Sequence, residues 1–173
     1  MTSRAPMHAS HRPWRRIAGS VLPAAATLGF VVYLGQAAGP TLALRHVYAN
    51  VTVWVLHLFG ASVSVRGTDI ASSSFSISVI TACTGLFVTG LFLVAVAAFP
   101  ASWRARLLGA AIGIVGLFAL NVVRLASLFY IGTHWPNVLD IAHQLVWQSI
   151  VIVAAVALWL LWAGRVTTGR ARS

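Results

Sequence analysis

Cys83, Arg124 and His143 are residue types that act together in acyl transfer. A thiolate is a strong nucleophile, and an imidazole within reach takes the thiol proton. A guanidinium stabilises negative charge developing on the attacked carbonyl oxygen. Cys83 is the only cysteine, in the run Thr81-Ala82-Cys83-Thr84-Gly85, where a serine-rich stretch gives way to an apolar one. A lone cysteine forms neither an internal disulfide nor a Cys-rich zinc site. The three residues are far apart in sequence, so any shared chemistry depends on the elements that carry them.

Each residue also has a plainer reading. A free cysteine is often just a small buried hydrophobe. Against that, Cys83 opens an apolar run, and the free N–H groups at a helix N-terminus stabilise a thiolate. Arg124 lies inside an apolar run, which costs at least ~2.5 to 3.5 kcal/mol on insertion scales. It must face the interior or a wet cavity, unless it snorkels to the headgroups as an anchor. Asn121 and Ser127 flank it at three-residue spacing and make a narrow polar stripe. Gly109 and Gly113 on roughly the same face allow a neighbouring helix to approach. His143 opens the last apolar run, either as an ordinary interfacial histidine or as the base of the pair. Asp140, three residues earlier, caps that helix or orients the imidazole. Thr84, Gly85 and Trp147 are candidates for supporting or lining the site.

Other chemistries find less support. His46, His57, His134 and His143 lack tight metal-ligand spacing, and the chain has only two acidic residues. No metal and no cofactor are expected. No Gly-Xaa-Ser-Xaa-Gly elbow, His-Glu-Xaa-Xaa-His motif or phosphate loop is present.

The elements that must position these residues are membrane helices. The 173 residues are 59% hydrophobic and 8% charged, against about 25% charged in soluble domains. Mean hydropathy is +0.87. The formal charge of +10 comes from twelve arginines, no lysine and two acids. Such a balance raises the question of nucleic acid, but the arginines cluster at the ends of apolar runs. The positive-inside bias explains them better, and no nucleic-acid partner is expected.

Residues 1–16 form a basic arm, expected to lack order, with Arg4, Arg12, Arg15 and Arg16. Residues 17–38 are long enough to span a bilayer, which takes about 20 residues, and too long for the apolar region of a cleaved signal peptide. Gly39-Pro40 is expected to break that helix. Residues 41–59 carry an apolar face of Val47, Val51, Trp54, Val55 and Leu58. Arg45, His46, Asn50 and His57 interrupt the segment, which suits a helix lying in the membrane interface. Over residues 61–80 the period becomes two, with Gly67-Thr68-Asp69 as turn formers, and a small β-hairpin is expected. Its open edges cannot face lipid, so it belongs on the aqueous side. Three apolar runs follow, at 83–99, 107–131 and 141–163. The loop between the first two holds Arg104 and Arg106, and the loop over 132–140 holds no arginine. The basic tail, 164–173, carries Arg165, Arg170 and Arg172.

These readings give an all-α membrane protein: four transmembrane helices, one interfacial amphipathic helix and a small extracytoplasmic β-hairpin. A single integral membrane domain runs over 17–163. With 41–59 lying flat, four crossings put the arm, the Arg104 loop and the tail on one side. If that segment spanned, the loop and tail would face outside, against the charge rule. Both termini are therefore expected in the cytoplasm and the hairpin outside. Cys83 and His143 then reach the outer surface. Arg124 falls about seven residues from the outer end of its helix, roughly 10 Å deep at 1.5 Å per residue.

Ala82-Cys83-Thr84-Gly85, then Asn121-Val122-Val123-Arg124, then His143 on the next helix resembles the exosortase/archaeosortase family. The resemblance covers about residues 62–163. Thr84 stands where many members have serine, which keeps a hydroxyl. The short length and the serine-rich segment resemble the compact exosortase H type. The resemblance implies a multi-pass enzyme of the bacterial inner membrane with its site on the periplasmic or outer face. It implies a cysteine protease or transpeptidase acting on exported proteins that end in a sorting tail: a short motif, a transmembrane helix and a basic cluster. For the H type the motif would be of the Ile-Pro-Thr-Leu kind. Carried over, Cys83 is the nucleophile, Arg124 a catalytic or oxyanion-stabilising residue, and His143 the acid/base. Membrane lipids are the other expected contact. Two further classes stay open: a non-catalytic membrane assembly subunit that pairs through the Asn121/Arg124 stripe, and a membrane hydrolase acting on lipid or polysaccharide.

Overall fold

The structure, a computed structural model, describes residues 13–171. The basic arm lies outside the described residues up to residue 12, and residues 13–16 already belong to the first helix. The chain folds into α1 (Pro13–Gln36), α2 (Ala38–Leu58), β1 (Ser64–Arg66), β2 (Asp69–Ala71), β3 (Ser76–Ser78), α3 (Leu86–Ala98) and α4 (Trp103–His134). It ends in α5 (Leu139–Ile141), a π-helical segment over Ala142–Trp147, and α6 (Gln148–Ala171). It is a mostly helical membrane protein with one small sheet.

Three stretches are long and apolar enough to cross a membrane: Gly19–Gln36, Trp103–His134 and Pro136–Thr168. The fourth expected crossing, α3, is apolar but only 13 residues long. That is about 20 Å, short of the ~30 Å hydrocarbon core.

Two expectations need correction. Gly39-Pro40 does not separate two helices, because the break falls at Ala37 and Pro40 sits in the first turn of α2. A proline is tolerated there because first-turn N–H groups have no partner within the helix. The hairpin is in fact a three-stranded antiparallel meander in the order β1-β2-β3. Ile70, fully buried, pairs with Val65 on one side and Ile77 on the other. The first turn is Gly67-Thr68, with Gly67 at φ 66°, a value that favours glycine. The serine cluster makes the second turn: Ser72 Oγ accepts from the Phe75 N–H at 3.1 Å, the local bonding serine offers in turns.

At one end of the bundle a single arginine links three helices. Pro23 lies inside α1 and has no N–H to give the Gly19 carbonyl four residues earlier. Arg106 of α4 donates to that carbonyl at 3.2 Å. Its Nε donates to Phe99 O, just past α3, also at 3.2 Å.

Two hydrophobic cores divide the protein, and α4 runs through both. One gathers Phe92 and Val96 of α3, Leu117 of α4, and Ala155, Trp162 and Ala163 of α6. Gly109 and Gly113 are what bring the helices that close, since a Cβ at either would collide with the ring of Trp162 or Phe92. The other core gathers Tyr48, Ala49, Val53 and Leu56 of α2, Ile70 of β2, Val79 just past β3, Cys83, and Val122, Leu125, Ala126 and Phe129 of α4. The 32 residues of α4 extend about 48 Å, longer than a bilayer core is thick. Its C-terminal half packs against α2 and the sheet, and its N-terminal half against α3 and α6.

Candidate active site

Cys83 does not open α3, contrary to expectation. It lies in a 3₁₀ turn over Thr81–Thr84, closed by its own N–H on Ile80 O at 2.9 Å. Gly85 follows in the left-handed region at φ 64° and caps α3. The αL kink separates the thiol from the helix, whose first bond is Thr89 N–H to Gly85 O. The helix N–H groups invoked for the thiolate thus begin beyond Gly85. The thiol is free and buried.

His143 comes to it from the other end of the sequence. Cys83 Sγ and His143 Nε2 are 3.9 Å apart, within the reach of a sulfur hydrogen bond. His143 sits in the π-helical segment, not in a regular first turn. An extra residue per turn re-aims the side chains there, and such segments are frequent at functional sites. Nothing in the residue types of Ala142–Trp147 announces this geometry, because apolar periodicity reads the same through a single wide turn.

Arg124 is only 5% exposed, in the middle of α4. It faces the protein interior rather than lipid, and it lies within electrostatic range of both Cys83 and His143. Its Nε is buried with no hydrogen-bond partner among the described residues. A buried guanidinium N–H left unpaired is costly, so this donor is available to an acceptor brought into the site.

Asn121 supports Cys83 directly. Spacing along α4 pairs it with Arg124, but its Nδ2 instead donates to Cys83 O at 2.5 Å. Gly85 packs beside it, where a Cβ would meet the Asn121 side chain only in ordinary contact at 3.4 Å, so the glycine serves the left-handed backbone rather than space. The Tyr48 hydroxyl approaches Asn121 but not in hydrogen-bonding geometry, so Asn121 Oδ1 stays unpaired among the described residues.

The remaining candidates are placed less centrally. Thr84 is buried, and its hydroxyl closes the turn on Thr81 O at 2.7 Å. Ser127 donates to Arg124 O at 2.8 Å, so its hydroxyl serves its own helix. Asp140 is exposed and within electrostatic range of His143. Trp147 ends the π segment, half-buried. His57 is engaged by Val63 O at 2.8 Å and His134 by Tyr130 O at 3.0 Å. Among the described residues no three His, Cys, Asp or Glu side chains gather as metal ligands would.

A family model described as Transmembrane exosortase (Exosortase_EpsH) matches residues 13–163. The chain belongs to the transmembrane exosortase family. The match takes in every helix of this exosortase that carries Cys83, Asn121, Arg124 or His143. No curated protein and no solved structure matches the chain. The exosortase match stands at the level of the family, and its site geometry comes from the structure alone.

Proposed function

We propose that this exosortase is a cysteine-dependent membrane transpeptidase. It cleaves the C-terminal sorting tails of exported proteins and passes the new carboxyl end to a surface acceptor. The observation that carries the reading is the 3.9 Å approach of Cys83 Sγ to His143 Nε2 beside the buried Arg124.

His143 takes the Cys83 proton, and the sulfur attacks the scissile carbonyl carbon. The carbonyl π pair moves to oxygen, where Arg124 stabilises the charge. Collapse expels the amine of the tail, which His143 protonates, and leaves a thioester on Cys83. The acceptor's nucleophile, an amine, a hydroxyl or water, attacks that thioester. Its proton passes to His143, and the Cys83 thiolate leaves.

The surroundings support a substrate of this kind. An apolar groove of about 490 Å³ runs between α3 and α6, lined by Phe87, Leu91, Ala95, Ile152, Val156 and Trp159. Phe87 lies in the turn after Gly85, and Gln148 at the groove's edge follows the His143 segment. A tail helix in this groove would put the residues preceding it at Cys83. The sheet and α2 would shape the cleft for the sorting motif, of the Ile-Pro-Thr-Leu kind if the chain is of the H type. In this reading α1, α3, α4 and α6 cross the bacterial inner membrane, with both termini cytoplasmic and the site on the periplasmic or outer face.

Co-expression with a tail-bearing substrate tests the proposal. Cys83→Ala should abolish processing at unchanged abundance, and trapping should leave a thioester-linked peptide on Cys83 that mass spectrometry detects. Continued processing by Cys83→Ala removes the nucleophile. A lipid or glycan adduct on Cys83 would instead identify a membrane hydrolase.

A further inference from the structure

Arg45 stands on α2, outside the reactive cluster. It is a half-buried arginine, on the same helix as the buried Thr41, Tyr48 and Thr52. Its Nε donates to Val79 O at 2.6 Å and one terminal nitrogen donates to Thr68 Oγ1 at 2.9 Å. Thr68 lies in the β1–β2 turn, and its carbonyl accepts from the Val79 N–H at 3.0 Å. Arg45, Thr68 and Val79 therefore form a closed ring of hydrogen bonds. Both main-chain polar groups of Val79 are held in it.

Val79 is fully buried and shares the α2–sheet core with Cys83. It is the last fixed point before the turn that carries the thiol, because Ile80 O next receives the Cys83 N–H. Asn121 holds the same turn from the far side, at Cys83 O. The turn is thus gripped at its entry from α2 and at its thiol residue from α4. A charged donor on a carbonyl makes one of the stronger hydrogen bonds available, and a guanidinium reaches two acceptors at once in fixed geometry.

We infer that Arg45 is a positioning residue, which sets where the Cys83 turn sits relative to His143. The inference rests on the reading of Cys83 and His143 as a reactive pair. It assigns to α2 the task of holding the entry to the nucleophile turn.

The test uses the full chain in detergent. Cys83 is the only thiol, so iodoacetamide reports on it alone. His143→Gln should slow alkylation of Cys83 roughly tenfold, by removing the base beside the thiol. Arg45→Gln should slow it to a similar extent, and the double variant should be no slower than His143→Gln alone, because both act through one pairing. Processing of a tail-bearing substrate by Arg45→Gln should fall about 10- to 100-fold in kcat, the effect of a misplacement near 1 Å, with KM little changed. Arg45→Lys, which keeps a donor for Val79 O, should recover much of the rate. If Arg45→Gln fails to fold, Thr68→Val, which removes one of the two bonds, should slow alkylation in the same direction. Alkylation at the wild-type rate in Arg45→Gln, or in Thr68→Val where that is the variant used, overturns the inference. So do fully additive effects with His143→Gln. If His143→Gln alone leaves alkylation unchanged, the reactive pair itself is refuted, and the positioning role falls with it.

Discussion

The side-chain amide of Asn121 donates to the main-chain carbonyl of Cys83, across 38 positions of sequence. Both residues are buried, so the carbonyl has no water to fall back on. Asn121→Ala should cost about 1–3 kcal/mol by stranding that acceptor. Asn121→Asp should not restore function, because a carboxylate cannot donate to a carbonyl. Thermal melting in detergent and processing assays check this together, and wild-type turnover in Asn121→Asp would show that the bond does not matter.

The Arg106 link predicts a coupled pair of variants. Arg106→Ala should lower stability by about 1–3 kcal/mol, with processing by the folded fraction little changed. Pro23→Ala restores an N–H that can reach Gly19 O within α1, so Arg106→Ala should cost less in that background. A double-mutant cycle on melting temperature measures the difference. Simple additivity would mean that Arg106 does not act through the carbonyl freed by Pro23.

The π-helical segment predicts the effect of a single deletion. Removing Val146 would return Ala142–Trp147 to α-helical spacing and turn His143 by about 100° relative to α6. Processing should be lost and Cys83 alkylation slowed, while the chain still inserts and melts cooperatively. A deletion variant with normal processing would show that the wide turn does not aim the imidazole.

Tyr48 offers a prediction in pH. It lies on α2, which is not among the stretches long and apolar enough to cross a membrane, and burial pushes its phenol up to about 12, with the Asn121 side chain acting in the opposite direction. The unfolded chain releases this proton near its ordinary value of about 10, while the folded chain holds it. Tyr48 therefore contributes its full stability below about pH 10 and loses it as the pH rises towards 12. The loss should reach ~2–3 kcal/mol over that window. Urea titrations of wild type and Tyr48→Phe between pH 8 and 12 should diverge only at the alkaline end. Parallel curves would show the phenol to be solvated.

Features with a strong energetic signature were legible in the sequence. A charged residue in an apolar run has few places to go, and Arg124 is indeed interior. Gly109 and Gly113 advertised close helix contacts because nothing but packing recommends glycine in a helix. Features set by a single backbone turn were not legible. Asp69-Ile70-Ala71 is short and opens with a poor strand former, so the central strand passed for part of a turn. The wide turn around His143 leaves the apolar pattern intact. Asn121 pointed to Arg124 by spacing along α4, whereas its partner is a main-chain carbonyl, which has no residue type to announce it. Arg45 read as an interruption of an apolar face for the same reason.

Cys83 and His143 are carried by different packing assemblies that share α4. Cys83 packs within the α2–sheet core, and His143 rides on the segment that continues into α6, whose partners lie in the other core. Gly85 marks the seam between them. The 3.9 Å separation is therefore a measure of docking between two assemblies, held on one side by Arg45 and Asn121 and on the other by the wide turn. Because α4 is common to both cores, that separation is set by packing along the whole length of one helix rather than by the residues next to the sulfur.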